Sequence, residues 1–215
     1  MTSSARPHVV IVGAGHASLI ALDRLAGRLD AEVTLISPGE AAHYSGMVPG
    51  WIEGLYGDDE MSVPLRSFAA RVGVRFISAS VTAADAQAVV CGNARYHYDV
   101  LVLNTGAVAA RTGALESSGV IPAKPFVELI DGLCACMDDV GAFVIAGAGP
   151  AGLEVAMALA HRRPDARVSV VEREAESLGA FPRRFTRLVA KALEACGVRL
   201  FLGVEITDVT DTAVV

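Results

Sequence analysis

Two stretches of the chain repeat the same order of apolar, small and helix-forming residues. Residues 9–12 are an apolar run that leads into glycines, an Ala- and Leu-rich stretch and a β-branched run at 31–37. Residues 143–146 begin the same order, which ends in a second β-branched run at 166–172. An apolar strand, a glycine turn, a helix and another strand make up a βαβ unit. The pattern therefore predicts two nucleotide-fold units and not a solenoid.

The residues between the two copies carry shorter elements. A helical spacing at 63–72 and an apolar run at 74–80 predict a helix and a strand. Residues 86–91 and 95–99 flank a Gly-Asn turn, which predicts an antiparallel meander. The fully apolar run at 100–103 predicts a strand that leads into Asn-Thr-Gly.

Four further elements are predicted before and after the second βαβ unit. Helices are expected at 126–138 and 183–196, and strands at 198–202 and 204–209. A nucleotide domain should need more strands than these before the chain stops. We therefore expect the second domain to be incomplete and the chain to be truncated.

The expected fold class is α/β, with two Rossmann-like three-layer βαβ domains and an antiparallel meander. We expect a first domain over residues 1–110, a linker and helix over 111–140, and the incomplete second domain over 141–215. The truncation leaves open whether the chain is active by itself.

The second copy contains Gly-x-Gly-x-x-Gly between its strand and its helix. Gly147 permits a tight turn, Gly149 lets the backbone approach a pyrophosphate, and Gly152 lets helix and strand pack closely. The helix N-terminus, which includes Ala151, would hold a diphosphate through its N–H groups. Glu172 ends the next strand, where a carboxylate accepts hydrogen bonds from adenosine ribose hydroxyls. These features predict dinucleotide binding; the alternative is a glycine turn without a ligand.

Glu172 and its neighbour also bear on the choice of nucleotide. A carboxylate at this position repels a 2′-phosphate, which favours NADH over NADPH. Arg173 follows directly, and an arginine there accommodates that phosphate, so NADPH stays an alternative.

The first copy carries a variant of the same motif. Gly13 and Gly15 keep the phosphate-binding turn, whereas Ser18 replaces the third glycine and should loosen the helix packing slightly. The strand after it ends in Ser37 instead of an acid, and a serine hydroxyl accepts a ribose hydrogen bond only weakly. The alternative is a turn that is kept for folding alone.

Composition and charge exclude several functional classes. The chain is 53% hydrophobic and 20% charged, with a formal net charge of −6, which gives no electrostatic footprint for nucleic acid. The apolar run at 9–12 is too short for a signal peptide or a membrane span. Four scattered cysteines without a secretory signal predict reduced thiols in the cytoplasm. No spacing suggests a metal site or a Ser-His-Asp triad.

Several short stretches resemble a known family. Two dinucleotide motifs with a strand ending in Asn-Thr-Gly between them resemble the two-dinucleotide-binding flavoproteins, the pyridine nucleotide–disulfide oxidoreductase superfamily. The closer resemblance is to the branch akin to type II NADH dehydrogenases, which includes flavoprotein modules fused to selenide, water dikinase. The stretches that carry this resemblance cover residues 13–17, 35–38, 43–50 and 123–125.

The resemblance implies FAD in the first domain and NAD(H) in the second. Glu154 would point toward the nicotinamide, and Lys124 is a candidate for the flavin neighbourhood or an exposed linker lysine. His16 could touch a cofactor or only cap its helix. The residues expected to bind the two cofactors are Gly13, Gly15, His16, Ala17, Ser18, Ser37, Val81, Thr105 and Gly106 in the first domain, and Gly147, Gly149, Ala151, Gly152, Glu172 and Arg173 in the second.

The chain also departs from the disulfide-reducing members of the superfamily. Residues 38–60 contain none of the redox cysteines that those members carry, so a dithiol relay is not expected. Cys134 and Cys136 lie two apart on a predicted helix, and we expect them to be buried structural thiols.

The resemblance implies hydride transfer from NADH to the flavin, with electrons passing on to a quinone or another small acceptor. No transmembrane segment is expected, and peripheral membrane contact would need a part of the protein beyond residue 215. Two alternatives stay open. One is a sulfide:quinone oxidoreductase-like flavoenzyme, and the other is a truncated or regulatory module that binds a nucleotide without turnover.

Overall fold

The structure of the protein is a computed structural model. It describes residues 6–110, 113–117, 119–176, 178, 181–210 and 212–215. The strands of this part are β1 His8–Val12, β2 Glu32–Ser37, β3 Ala41–His43, β4 Ser62–Pro64, β5 Arg75–Ser78, β6 Ala83–Ala84, β7 Ala88–Cys91, β8 Ala94–His97, β9 Val100–Leu103, β10 Ala142–Ala146, β11 Arg167–Glu172 and β12 Arg199–Leu202. Its α-helices are α1 His16–Leu25, α2 Val48–Ile52, α3 Leu65–Val72, α4 Phe126–Cys136, α5 Pro150–Arg162 and α6 Arg183–Ala195.

The chain divides into two compact units. The first comprises Met1–Tyr44 and Ser62–Ala107, and the second comprises Ser45–Met61 and Val108–Val215. The short helix α2 therefore belongs to the second unit, although its sequence lies within the first half of the chain.

The first unit has three layers around a parallel sheet. Its four strands run in the order β5-β2-β1-β9, all parallel. The β-branched strands β1 and β2 lie at the centre, where Val10, Leu35 and Ile36 have no exposed surface. One face packs against α1 and α3 through Leu22 and Phe68, and the antiparallel meander β6-β7-β8 covers the other. The predicted α/β layering and the meander are confirmed.

The second unit also has a βαβ arrangement, built around a smaller parallel sheet. Strands β10, β11 and β12 are parallel and adjacent in that order, so that helix α5 connects β10 to β11 in a βαβ unit. The core beneath them contains Leu153 and Leu159 of α5, Leu133 of α4 and Leu193 of α6. Trp51 of α2 packs into the same core.

One predicted strand is wrong. Residues 204–209 do not form a strand, although three of the six are apolar. The Val204 N–H donates to the Glu172 carbonyl at 3.0 Å, and the chain then folds back on itself. The Thr207 N–H donates to the Val215 carbonyl at 2.7 Å, and Val209 makes one isolated bridge with Val214. After Val204, the paired backbone donors of this segment find their partners within the terminal turn and not in a neighbouring strand.

Candidate functional site

The first glycine turn follows β1 at the centre of its sheet. The Gly13 N–H donates to the Ile36 carbonyl at 2.8 Å, and Gly13 has φ +95°, which disfavours any residue with a side chain. A Cβ on Gly13 would lie 2.1 Å from the backbone oxygen of Asn104. The turn therefore needs glycine both for its conformation and because the end of β9 passes so close.

The second glycine of this turn caps helix α1. Gly15 is the N-cap residue with φ −65°, a conformation that any residue adopts. A Cβ there would lie 2.6 Å from Nδ2 of Asn104, so the neighbouring amide side chain excludes it. His16 and Ala17 follow as exposed residues of the first helical turn. The N–H groups of such a turn have no partner within the helix and suit an anion.

Ser18 occupies the third position of the motif, where the superfamily pattern has glycine. Its side chain is buried, with 4% of the residue exposed, and its Oγ accepts a hydrogen bond from Asn104 Nδ2 at 2.9 Å. The replacement therefore adds a hydrogen bond between the helix and the end of β9. Sequence reasoning missed Asn104, although its place directly before Thr105 at the end of an apolar strand was a usable signal.

The predicted residues of the first unit follow the carboxyl ends of its strands. The glycine turn follows β1, Ser37 is the last residue of β2, and the exposed Thr105 and Gly106 follow β9. Val81 lies after β5, half-buried against the meander side of the sheet. Because parallel strands end at one edge, the fold brings these positions to the edge where open α/β sheets bind ligands.

His16 has an aromatic neighbour that the sequence did not indicate. Its ring stacks on that of Tyr44, with ring centroids 4.8 Å apart and 23° between the planes. Both residues are exposed, so the pair forms an aromatic surface beside the start of α1.

The three glycines of the second turn have three different surroundings. Gly147 has φ +103° and donates its N–H to the Val171 carbonyl at 2.8 Å. A Cβ on Gly152 would lie 2.3 Å from the backbone oxygen of Gly147, so close packing excludes a side chain. Gly149 has φ −73°, and a Cβ there would meet nothing within 4 Å. Among the protein atoms described, neither conformation nor packing requires glycine at 149, which fits the approach of a ligand.

Glu172 lies beside this turn at the end of β11. Its Oε2 accepts the Ala148 N–H at 2.9 Å, and its Oε1 accepts the Glu174 N–H at 3.0 Å. The N–H groups of Glu174 and then Ala148 hold the pKa of Glu172 below its ordinary value, so it is a carboxylate at neutral pH. Each carboxylate oxygen has a second lone pair, which leaves room for hydroxyl donors.

Two features flank Glu172. The exposed Arg173 places its Nε 3.4 Å from Oε1 of Glu174. An open cleft of about 430 Å³ lies between the chain after β11, helix α6 and β12, with Leu178, Phe181 and Leu202 in its lining. Leu202 is the strand partner of Glu172, so the cleft adjoins the carboxyl end of β11.

The other predicted residues of the second unit are exposed. Ala151 lies in the first turn of α5, and Glu154 lies on the same helix with its side chain in solvent. Lys124 is exposed ahead of α4, with its Nζ 5.7 Å from the ring centroid of Phe126. This position favours an exposed linker lysine over a residue of the flavin neighbourhood.

The cysteines are all free thiols in the part of the chain that is described. Cys134 is exposed and Cys136 half-buried, so the expectation of a buried thiol is wrong for Cys134. Burial raises the pKa of Cys136, and burial followed by the charges of Asp58 and Asp131 raises that of Cys134. Neither thiol is activated as a thiolate nucleophile would be.

The residues that the structure describes offer neither a candidate metal site nor a candidate membrane span. No group of three His, Cys, Asp or Glu side chains is placed to hold a metal ion. No helix in that part of the chain combines the length and the apolar character needed to cross a membrane.

Comparison with known proteins places these features in a family context. A family model described as pyridine nucleotide-disulphide oxidoreductase matches residues 7–215. The water-forming NADH oxidase of Lactobacillus brevis, solved with NADH, superposes with a TM-score of 0.81 at 23% identity. NDH2 of Plasmodium falciparum in complex with NADH gives 0.78 at 14%, and an NAD-dependent persulfide reductase of A. fulgidus gives 0.81 at 23%.

These structures are longer than the chain. The match covers 96%, 95% and 94% of this chain and 49%, 49% and 41% of those three proteins respectively. The chain thus spans about half the length of the solved structures that it matches. At this level of identity the likeness concerns the fold.

Proposed function

The chain belongs to the pyridine nucleotide-disulphide oxidoreductase family. On that premise we propose that it functions as an FAD-dependent oxidoreductase that oxidises NADH. FAD would be held by the first unit and NADH by the second. The observation that carries the proposal is the open space at Gly149, beside a helix N-terminus and the carboxylate of Glu172.

The first unit supplies the groups that an adenine dinucleotide needs at its diphosphate. The N–H groups at His16 and Ala17 begin α1, and no side chain caps this helix N-terminus by a hydrogen bond. Ser37 lies at the end of β2, where the adenosine ribose would reach it. Thr105 and Gly106 would contact the flavin portion, and Val81 would lie beside the adenine.

The second unit supplies corresponding groups for a diphosphate and a ribose, with the acid Glu172 in place of Ser37. Gly149 and Ala151 would hold the diphosphate at the start of α5, and Glu172 would accept the ribose hydroxyls. The cleft at the carboxyl end of β11 has apolar walls at Leu178 and Phe181 that suit a flat base. Glu172 is a carboxylate at neutral pH, which disfavours a 2′-phosphate and supports NADH over NADPH.

The bound flavin would supply the redox chemistry, by accepting a hydride from the reduced nicotinamide and passing electrons to a quinone or another small acceptor. The residues of the chain bind and orient the two nucleotides. Glu154, exposed in the second turn of α5, is the residue we propose to face the nicotinamide. Lys124 is the weaker candidate because its side chain lies over Phe126.

Anaerobic titration of the purified full-length protein tests this function. After reconstitution with FAD the protein should be yellow, and one equivalent of NADH should bleach the flavin absorbance. NADPH at the same concentration should bleach it more slowly. A protein that takes up no FAD, or one whose bound flavin NADH does not reduce, would contradict the proposal.

A further inference from the structure

Asn104 connects the end of β9 to the first turn of α1. Its backbone N–H donates to the Val12 carbonyl at 2.8 Å, which continues the pairing of β9 with β1 by one residue. Its side chain passes beneath Gly15 and donates to the buried Ser18 hydroxyl. Asn104 thus makes one contact with the strand before the glycine turn and another with the helix after it.

We propose that Asn104 is a positioning residue of the FAD site, which fixes the diphosphate turn relative to Thr105 and Gly106. The inference rests on the proposed function, since it assigns a role within the FAD site of the first unit. Asn104 itself would lie beneath the turn and act through Gly15 and Ser18.

Gly13 and Gly15 both lie very close to Asn104. The nearest neighbours of a Cβ on Gly13 would be the Asn104 backbone, at 2.1 and 2.5 Å. Those of a Cβ on Gly15 would be three atoms of the Asn104 amide, at 2.6 to 2.8 Å. Both glycines of the turn therefore accommodate Asn104, whereas Gly149 of the second turn has open space.

The hydrogen bond to Ser18 connects Asn104 to the first turn of helix α1. Ser18 lies in the first helical turn and is almost fully buried, so its hydroxyl needs a partner inside the protein. Asn104 provides that partner and ties the helix N-terminus to the end of β9. Because the diphosphate binds to the helix N-terminus and the flavin to the end of β9, this bond sets the spacing between the two ends of the cofactor.

The amide of Asn104 is uncharged, which suits a position beside the N–H groups proposed to hold the diphosphate. A carboxylate of the same size would lie beneath Gly15, beside the N–H groups that hold the diphosphate. Asn104→Asp keeps the size of the side chain, and the Ser18 hydroxyl can donate to the new carboxylate. The variant therefore retains the link and adds a negative charge that repels the diphosphate.

FAD binding to the apoprotein tests the role, with a matched charge change as the control. Asn93→Asp makes the same substitution at an exposed turn of the meander. We expect Asn104→Asp to weaken FAD binding about tenfold or more, with a loss that shrinks as salt increases. Asn93→Asp should bind FAD like the wild type. NADH binding by the second unit and apoprotein unfolding should be unchanged in both variants.

A double-mutant cycle tests the link itself. Asn104→Ala and Ser18→Ala should each weaken FAD binding at all salt concentrations, and the double variant should lose little beyond either single change. Additive losses, or losses of FAD affinity matched by equal losses of NADH affinity, would overturn the positioning role. So would Asn104→Asp binding FAD as tightly as Asn93→Asp. If Asn104→Asp fails to fold, the smaller change Ser18→Ala tests the role through the same comparison of FAD and NADH affinities. A wild-type protein that binds no FAD would refute the proposed function itself.

Discussion

The different surroundings of Gly149 and Gly152 predict opposite effects of the same substitution. Gly149→Ala places a methyl group in open space at an allowed φ of −73°, so the fold should tolerate it. Gly152→Ala places its methyl 2.3 Å from the backbone oxygen of Gly147, which cannot rotate away. The first change should therefore weaken NADH binding and spare the fold, whereas the second should destabilise the fold.

The magnitudes follow from the local structure. Alanine is a poorer N-cap than glycine, which costs up to about 1 kcal/mol. It also restricts the unfolded chain, which stabilises the folded state by about 0.4–1 kcal/mol. The free energy of unfolding of Gly149→Ala should thus stay within about 0.5 kcal/mol of the wild type. At Gly152, overpacking costs about 1–3 kcal/mol, and the helix preference of alanine offsets only about 1 kcal/mol. The net loss is then up to about 2 kcal/mol, which lowers Tm by up to roughly 8 °C in a chain of this size.

The loss of NADH affinity in Gly149→Ala comes from the diphosphate contacts. Hydrogen bonds to a charged group contribute about 1.5–3 kcal/mol each, so one lost bond weakens binding about ten- to hundredfold. Gly141→Ala is the matched control, because Gly141 also has open space but precedes β10 at its amino end.

The assay combines calorimetric titration with NADH and thermal unfolding of all three variants. Gly141→Ala should match the wild type in both measurements. NADH binding by Gly149→Ala at wild-type affinity would refute the assignment of this turn to the nucleotide. A large drop in its Tm would show that the open space is not as described.

Three further predictions concern the carboxylate at 172 and the cysteines. Glu172→Arg should reverse the nucleotide preference from NADH to NADPH in binding titrations, and tighter NADPH binding by the unmutated protein would contradict the assignment. Glu172 also contributes to pH stability: its folded pKa lies below the unfolded value, so its stabilisation is present above about pH 4.3 and is lost as pH falls through the folded pKa. We therefore expect acid unfolding of Glu172→Gln to begin at a different pH from that of the wild type. An unchanged onset would contradict this reasoning. Replacing all four cysteines by serine or alanine should preserve NADH-dependent dye reduction by the full-length protein, and a complete loss with the fold and flavin retained would disprove it.

The sequence was informative where structure depends on near neighbours in the chain. The apolar run at 143–146, the glycine spacing and the β-branched run at 166–172 predicted a βαβ unit, which the structure contains. The same holds for the meander, because a Gly-Asn turn between two short strands specifies a hairpin locally. Such signals need no knowledge of distant contacts.

The sequence was less informative where structure depends on distant contacts. Nothing local marks Asn104 as the neighbour of Gly13 and Gly15, since that contact joins residues that lie far apart in the chain. The apolar residues at 204–209 predicted a strand, but a strand also needs a partner with free backbone groups. The cofactor-binding residues and the domain boundaries stay predictions.

Helix α2 has a consequence for how the protein is made. Val48, Trp51 and Ile52 are buried in the second unit, together with Leu153 and Leu159 of α5. A ribosome adds about 5–20 residues per second, so α2 is synthesised on the order of 5–20 s before α5. During that interval its apolar side chains lack their final neighbours and are available to chaperones. A gene fragment that begins at residue 108 would encode a second unit without this part of its core, so the two units cannot be exchanged between genes by a single crossover there.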